Sequence, residues 1–326
     1  MSDETAIQIH ATGDAECMML VGKPMRALNS NEVIVRHEAI GVNFIDTYHR
    51  SGLYTVPLPS GIGLEAAGLI EAIGAEVTGL SVGDRVAYCS GPLGAYSTAH
   101  IIDADRAVRL PDAISVDVAA ASLLKGLTVQ YLIRQIFSCG PTHTVVFHAG
   151  AGGVGQIAVQ WLKALGVRVI ATAGGDEKCS LVRALGADLV IDYHHEDVAT
   201  AVRSFTDGQG VPVVFDGVGK DTWIGSLDSL QPRGLMVSFG NASGAVTGVD
   251  LGILAAKGSL FLTRPTLMTY TSTREVLQKA ADDYFSFLQD GSISITQPTE
   301  YALQDAHIAH TELESRRTTG SIILRP

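Results

Sequence analysis

The sequence predicts an α/β protein with a doubly wound, parallel-sheet domain and a β-rich, partly barrel-like domain. Three observations predict this division. Short strand patterns separated by turn residues fill residues 1 to about 125, which is typical of a compact sheet. Strand and helix patterns then alternate up to about residue 265, which indicates βαβ units on a parallel sheet. A long helix and a strand follow, so we expect one domain at 1–125 plus 266–326 and the other at 126–265.

Length and composition are those of a globular protein. The chain has 326 residues, enough for two domains, and 46% are hydrophobic against 17% charged, which excludes a disordered chain. The net charge of −11 disfavours nucleic acid as a partner, because phosphate backbones would be repelled. The polar, acidic N-terminus and the lack of an apolar run of about 20 residues predict neither a signal peptide nor a membrane span.

The cysteines lie too far apart in sequence for the paired spacing of a metal site, and they predict no disulfide framework. They are Cys17, Cys89, Cys139 and Cys179. We therefore expect reduced thiols in a cytoplasmic protein.

The first part contains three strand patterns, at 33–39, at 68–73 and, after a turn, at 83–88. The pattern changes near residue 115. Ser115 is a candidate cap for a helix over 115–122, and an apolar helix continues over 127–137.

The second part alternates buried strands with helices that end at glycine. The predicted strands are 144–149, 168–172, 189–192, 213–216, 234–239 and 259–263, and the predicted helices are 156–165 and 177–185. Beyond them we expect a helix over 274–289 and a strand over 319–324 that complete the first domain.

A glycine-rich turn follows the first strand of the second part and begins a helix. Its residues 148–155 contain the pattern G-x-G-x-x-G. Gly150 permits the tight turn, Gly152 and Gly153 let the backbone approach a pyrophosphate, and Gly155 lets the helix pack on the strand. Together with the N–H of Val154, the helix N-terminus supplies donors for phosphate. The turn predicts a Rossmann-type dinucleotide site, and the alternative is a turn needed only for packing.

NADPH is favoured over NADH. An NAD site carries an acidic residue at the end of the second strand, where it binds the ribose hydroxyls. Here residues 170–175 read Ile-Ala-Thr-Ala-Gly-Gly, with Gly174 as the first glycine, and contain no carboxylate. Lys178 and Tyr193 follow, and a lysine fits a 2′-phosphate. The alternatives are a solvated surface lysine and an edge aromatic.

Several stretches resemble the quinone oxidoreductase (zeta-crystallin-like) family of the medium-chain dehydrogenase/reductase superfamily. They are 39–48, 51–54, 63–68, 121–128, the glycine turn and 235–244. The resemblance covers nearly the whole chain. It implies a GroES-like catalytic domain beside the Rossmann domain, NADPH as cofactor, quinones as substrates and a homodimer.

The residues that bind catalytic zinc in the zinc-dependent relatives are absent. Those relatives have a Cys where Asn43 stands and a His where Leu64 stands, and Leu64 cannot ligate a metal. The resemblance therefore implies a zinc-free enzyme. A quinone or an activated enone is electron-poor and needs less help from a Lewis acid than a ketone does, so hydrogen bonds to the developing oxyanion would suffice.

The catalytic candidates are Asn43, Asp46 and Tyr48 on the turn after a strand, Tyr54 near them, and Arg264 after the last strand of the nucleotide domain. The resemblance implies that Asn43 contacts cofactor or substrate and that both tyrosines line the quinone pocket. Arg264 would orient substrate or cofactor. The alternatives are interface packing for the tyrosines, a cap for Asp46 and an interdomain salt bridge for Arg264.

The resemblance extends the cofactor site to further residues. These are Lys125, Thr128, Gly217, Phe239, Gly240, Asn241 and Arg316. The relatives are dimers, and the strand 259–263 would be the edge that pairs across the two-fold axis.

Two other functional hypotheses stay open. The first is an NADPH-dependent enone or alkenal reductase on the same scaffold. The second, of another class, is a nucleotide-dependent RNA-binding or crystallin-like structural protein, which the acidic charge disfavours. The sequence leaves open the physiological acceptor, the proton donor, the oligomer size and the choice between one- and two-electron transfer.

Overall fold

The computed structural model describes residues 4–315 and 318–326, so the predicted cofactor contact Arg316 lies outside the described residues. The chain forms two compact units. The first comprises the residues up to Leu124, Ser272–Gln289 and the residues from Ile295 onward. The second comprises Lys125–Thr271 and Asp290–Ser294.

Two short segments that we expected in the first domain lie in the second unit, namely 266–271 and 290–294. The ring of Tyr270 stacks on that of Tyr131 with centroids 4.9 Å apart. The Gln160 amide exchanges two hydrogen bonds with the backbone of Ser294, at 3.1 and 2.9 Å. These contacts tie both segments to the second unit.

The regular elements follow one another in a simple order. The strands are β1 (Thr5–Ile9), β2 (Met18–Gly22), β3 (Glu32–Val42), β4 (Ser60–Gly61), β5 (Glu65–Ile73), β6 (Arg85–Tyr88), β7 (Ala99–Asp103), β8 (Val108–Arg109), β9 (Thr144–Phe147), β10 (Arg168–Ala173), β11 (Leu189–Asp192), β12 (Val211–Asp216), β13 (Leu230–Ser238), β14 (Phe261–Thr263), β15 (Thr299–Ala302) and β16 (Ile322–Arg325). The helices are α1 (Phe44–Ser51), α2 (Val116–Gln130), α3 (Gly153–Ala164), α4 (Asp176–Ala184), α5 (Val198–Phe205), α6 (Trp223–Ser229), α7 (Gly252–Ala256), α8 (Leu267–Tyr270), α9 (Arg274–Gln289) and α10 (Ala306–Glu314).

The first unit is built on two sheets. One has the strand order β2-β1-β4, and the other has the order β15-β16-β3-β5-β6-β8 with β7 also paired to β3. Alternate residues of β3, such as Val33 and Val35, are fully buried, which is the period of a strand with one face on the core. Gly68 permits the close pairing of β5 with β3, because a Cβ there would lie 1.9 Å from the Arg36 carbonyl oxygen.

The second unit contains a six-stranded parallel sheet of order β11-β10-β9-β12-β13-β14. Numbered along the unit, this is the order 3-2-1-4-5-6 of a Rossmann fold. The sheet confirms the predicted α/β fold class. Its central strands are buried on both faces, as Val146 and Val214 illustrate, and read as continuous apolar runs.

Some predicted elements were wrong or missing. The supposed turn after the strand 33–39 is helix α1, which begins where Asn43 and Asp46 exchange hydrogen bonds. Helices α5, α6 and α10 were not predicted, since each is shorter than three turns and has little periodic signal. The last strand begins at Ile322, three residues later than expected.

One long helix runs through residues 116–136. Its α-helical part, α2, passes into a π-helical turn at Tyr131–Ile136, where Phe137 N donates to Leu132 O over five residues. By length and composition alone it could cross a membrane. However, 78% of its most apolar stretch is buried inside the protein, which is typical of a core helix of a soluble protein.

We expect the free energy of unfolding to fall in acid because buried histidines stay neutral. His37 donates from Nδ1 to Ser97 O at 2.6 Å, and the Tyr88 hydroxyl donates to its Nε2 at 2.9 Å. Burial lowers the pKa of His37 to about 4. An unfolded histidine takes up its proton near pH 6.5, so the unfolded chain binds more protons below that pH and stability is lost as the pH falls from about 6.5 to 4.

The loss for one such histidine approaches about 3 kcal/mol. Urea unfolding at several pH values between about 7.5 and 4 measures it. His37→Gln should flatten the curve, whereas exposed His10→Gln should not. Equal pH dependence of the native chain and His37→Gln would contradict the prediction.

Candidate active site

Asn43 and Asp46 lie at the junction of β3 and α1. Asn43 is the residue before the first turn of the helix, and its N–H donates to Asp46 Oδ2 at 2.9 Å. The Asp46 N–H in turn donates to the Asn43 backbone oxygen at 3.0 Å. Both residues are buried. Asp46 thus does what we listed as its alternative role, because it closes the helix N-terminus.

Glu65 orients the Asn43 side chain. Asn43 Nδ2 donates to Glu65 Oε2 at 2.7 Å, and the Leu124 N–H on α2 donates to Glu65 Oε1 at 2.6 Å. The carboxylate is fully buried. Gly41 makes room for it, since a Cβ there would lie 2.4 Å from Glu65 Oε2 and 2.3 Å from Ala120 O. Glu65 was not predicted as a site residue. The sequence pattern that could have indicated it is a carboxylate at the start of an apolar strand.

A second chain of hydrogen bonds leads from Asp46 to the surface. The Tyr96 hydroxyl lies 3.0 Å from Asp46 Oδ2 and 2.9 Å from His310 Nε2. Arg50 Nη1 lies 3.4 Å from His310 Nδ1 and pairs with Glu314 at 2.8 Å. Burial, followed by the charge of Arg50, lowers the pKa of His310 to about 3. Burial, followed by Asp46, holds the pKa of Tyr96 well above its usual range.

The two tyrosines predicted for the quinone pocket lie together. The rings of Tyr48 and Tyr54 meet edge to face with centroids 5.3 Å apart, and Tyr54 N donates to Tyr48 O at 3.0 Å. The ring of His49 lies 5.8 Å from that of Tyr54. Gly52, in the left-handed region at φ 84°, ends α1 and turns the chain back so that Tyr54 reaches Tyr48.

The donor set at this junction does not fit catalytic zinc. Asn43 offers an amide, whose nitrogen donates to Glu65 and whose neutral oxygen is a poor zinc ligand next to Cys or His. Leu64 is buried and has no ligating atom. Across residues 4–315 and 318–326, no group of three or more His, Cys, Asp or Glu is arranged to hold a metal ion.

The glycine turn of the second unit forms a cradle for phosphate. A Cβ at Gly155 would lie 2.2 Å from Ala149 O and 2.7 Å from Gly150 Cα, so α3 can begin this close to β9 only with glycine there. Gly152 caps α3 without a side chain. The N–H groups of the first turn have no acceptor within the helix and suit an anion. These residues fit the pyrophosphate of a dinucleotide.

A network of buried hydrogen bonds lies next to the glycine turn and fixes its first residues. His148 Nδ1 lies 3.1 Å from Thr172 Oγ1, which accepts from Ala149 N at 3.1 Å. The Ser226 hydroxyl lies 3.0 Å from His148 Nε2 and 2.7 Å from Asp216 Oδ2. Burial lowers the pKa of His148. Asp216 is the last residue of β12, and its Oδ1 accepts from Val218 N and Gly219 N.

The end of β10 is where an acidic residue would stand in an NAD site. A Cβ at Gly174 would lie 2.5 Å from the Tyr193 hydroxyl and 2.9 Å from His194 Cε1, so a side chain there would require both rings to move. Tyr193 is half exposed. Lys178 lies in the first turn of α4, which begins directly after Gly174 and Gly175.

Four of the remaining predicted contacts cluster at the ends of β12 and β13. A Cβ at Gly217 would lie 2.9 Å from the Phe239 ring, and one at Gly240 would lie 2.2 Å from Gly217 O. With the Asn241 amide oriented to satisfy its neighbours, its Oδ1 accepts from Arg264 Nη2 at 2.9 Å. Arg264 Nη1 also donates to Ser238 O at 2.7 Å.

Arg264 thus fixes the loop after β13 from within the second unit. Lys125 and Thr128 are separate from this cluster in sequence and are buried on α2.

Comparisons with known proteins agree with this geometry. Residues 29–112 match the alcohol dehydrogenase GroES-like domain, and residues 153–283 match the zinc-binding dehydrogenase family. The chain is 55% identical over 321 residues to the quinone oxidoreductase of Pseudomonas aeruginosa, covering 98% of this chain and 99% of that protein.

Two further relatives are informative. The structure is similar to that of Escherichia coli quinone oxidoreductase complexed with NADPH, with a TM-score of 0.97 and 51% identity, covering 99% of this chain and 100% of that one. A 2-haloacrylate reductase of Burkholderia sp is 39% identical, covering 98% of each chain. The chain therefore belongs to the quinone oxidoreductase family of medium-chain dehydrogenases/reductases.

Proposed function

We propose that this enzyme reduces quinones with NADPH and without a metal. The observation that carries the proposal is the pairing of a phosphate cradle at Gly150–Gly155 with the crowded, acid-free position Gly174. The first feature fits a dinucleotide and the second excludes the carboxylate of an NAD site. Relatives named quinone oxidoreductase at 50–55% identity supply the substrate class.

The two units have different functions, cofactor binding in the second and catalysis in the first. The second unit, close to the predicted limits 126–265, binds NADPH. Its contacts are the glycine turn with Val154, then Gly174, Lys178 and Tyr193, and lastly Gly217, Phe239, Gly240, Asn241 and Arg264. Lys125 and Thr128 also belong to this site, and the first unit is the catalytic domain.

The catalytic domain positions the acceptor. When bound, NADPH supplies a hydride to the quinone. The hydroxyls of Tyr48 and Tyr54 donate hydrogen bonds to the quinone oxygens, and the rings give it an aromatic wall. Asn43 contacts cofactor or substrate with an amide whose orientation Glu65 sets. Asp46 acts through the helix N-terminus and is a positioning residue.

The experiment that tests the function follows NADPH oxidation with 1,4-benzoquinone and, in parallel, with a 2-alkenal, before and after EDTA treatment. We expect turnover of the quinone that EDTA does not change, because the Asn43–Leu64 donor set does not fit zinc. Loss of activity with EDTA would contradict the metal-free mechanism. The absence of NADPH oxidation with any quinone would contradict the function.

The second candidate is an NADPH-dependent reductase of enones or alkenals. The observation that favours it is the 39% identity to a 2-haloacrylate reductase, whose named substrate is an activated alkene. It would need the same cofactor site and differ in the pocket. A faster reaction with the 2-alkenal than with the quinone would select it. RNA retention at low salt that NADPH displaces would instead favour a nucleotide-dependent RNA-binding protein.

Tyr48→Phe should lower kcat/KM for benzoquinone about tenfold, the effect of one lost hydrogen bond in a desolvated site. The ring contact with Tyr54 would survive, so stability and NADPH affinity should stay within about twofold. Tyr301→Phe, in strand β15 of the same unit, is the matched control. An unchanged kcat/KM for Tyr48→Phe and for Tyr54→Phe would show that neither hydroxyl donates a hydrogen bond to the quinone.

The assembly and location complete the proposal. We propose a homodimer that pairs through β14, because this strand is the edge of the parallel sheet and Phe261 is 61% exposed. Sedimentation equilibrium tests it, and a monomer at all concentrations would contradict it.

We also propose a cytoplasmic enzyme, since none of the four thiols forms a disulfide. Cell fractionation tests this location, and recovery outside the cytoplasm would contradict it.

A further inference from the structure

His194 follows Tyr193 directly after β11 and lies over the end of β10. Its Cε1 is 2.9 Å from the place of a Cβ at Gly174, and its ring meets that of Tyr193 edge to face with centroids 4.8 Å apart. In a Rossmann fold the 2′ position of the adenosine ribose lies at the end of this second strand. His194 and Tyr193 thus border the position that decides between NADPH and NADH.

The ring nitrogens of His194 form no hydrogen bond that would help to hold the described part of the fold together. Its Nδ1 lies 3.7 Å from Asp192 Oδ1, beyond hydrogen-bonding distance, and neither ring nitrogen has a hydrogen-bond partner among residues 4–315 and 318–326. Its side chain is 55% exposed. The neighbouring His195 differs, because its Nδ1 lies 3.0 Å from Asp192 Oδ2. Both ring nitrogens of His194 therefore remain for a ligand, whereas Nδ1 of His195 does not.

The carboxylate of Asp192 opposes phosphate binding at this position, so a positive charge next to it would favour binding. Its Oδ1 accepts from His194 N and Gly175 N at 3.0 and 3.1 Å, and these hydrogen bonds lower the pKa of the carboxyl to about 2. A fixed carboxylate near the end of β10 repels a phosphate dianion. A positively charged imidazole at His194 would offset this charge while donating to a phosphate oxygen.

We infer that His194 is a specificity residue whose protonated imidazole binds the 2′-phosphate of NADPH, so that its contribution to the preference over NADH grows as the pH falls. The inference rests on the proposed function, since it names a further contact of the same cofactor site. Imidazole is the side chain that gains its charge between about pH 8 and 5.

Other titratable groups surround His194, so their charge must be held constant in the test. Helices α4 and α5 pack on β11. The groups are Asp192, Tyr193, His195 and Glu196 on its own segment, Asp176, Lys178, Cys179 and Arg183 on α4, and Asp197 and Arg203 at or on α5. The 2′-phosphate also titrates, near pH 6. A comparison of variants at one pH removes all of these common contributions.

The experiment measures Kd for NADPH and NADH by ligand fluorescence at about pH 6 and about pH 8.5. For His194→Gln, we expect NADPH to bind about tenfold more weakly than to the native chain at the lower pH and less than about twofold more weakly at the higher pH. The affinity for NADH should not change at either pH. His194→Arg should keep tight NADPH binding at both pH values, because its charge does not titrate.

The control is His143→Gln, an imidazole that precedes β9 at the opposite end of the sheet and should leave both affinities unchanged. A His194→Gln effect that is the same at both pH values, or equal for NADH and NADPH, would overturn the inference, because a purely structural role predicts that result. If the native chain binds NADH as tightly as NADPH, the proposed cofactor itself fails, which is a different outcome.

Discussion

Gly155→Ala should weaken NADPH binding about 100-fold, or about 2.7 kcal/mol. The added Cβ would lie 2.2 Å from Ala149 O and 2.7 Å from Gly150 Cα. Both are backbone atoms of the phosphate turn, so neither can rotate away and the start of α3 must move from β9. The N–H groups of the first turn would then no longer converge on one pyrophosphate. Fluorescence titration with NADPH measures the loss.

Two companion variants separate binding from folding. Gly225→Ala adds a Cβ in helix α6 of the same unit with nothing within 4 Å, so its Kd and melting temperature should equal or exceed those of the native chain. Gly152→Ala adds one 3.3 Å from Ala149 O and should give a smaller loss. If Gly155→Ala bound NADPH with native affinity, the glycine turn would not be the phosphate site.

Glu65→Ala should lower the free energy of unfolding by about 3–5 kcal/mol and reduce kcat/KM for the quinone more than tenfold. It removes the hydrogen bonds from the Asn43 amide and the Leu124 N–H to a buried carboxylate, and each such bond to a charged group contributes about 1.5–3 kcal/mol. It also releases the Asn43 side chain from its one orientation. Urea unfolding and steady-state kinetics measure the two effects.

Glu65→Gln keeps the volume and one carbonyl acceptor, so we expect about half of that stability loss. The matched control is Glu71→Gln on the same strand. Glu71 is 45% exposed and pairs with Arg36, so its loss should stay below about 1 kcal/mol. Equal effects at positions 65 and 71 would show that the buried carboxylate has no special role.

Much of the regular structure follows from local patterns. The strands at 189–192 and the helix at 274–289 were predicted to the residue, because their apolar periods are regular and their ends carry turn residues. The glycine turn was predicted from its place between a strand and a helix. The short helices α1, α5 and α6 were not, since a helix of seven or eight residues depends on caps and tertiary packing more than on its own pattern.

The sequence by itself determined the fold class, the dinucleotide turn and the absence of a zinc ligand set, because each depends on residues close together in the chain. Only the tertiary structure decided how the site is held. Tyr96 meets His310 across 214 residues and Asn43 meets Glu65 across 22. The Asn43–Glu65 pair depends on the register of β5 with β3, where a shift of one residue would turn Glu65 to the opposite face. The Tyr96–His310 pair depends on how α10 packs against α1 and β16.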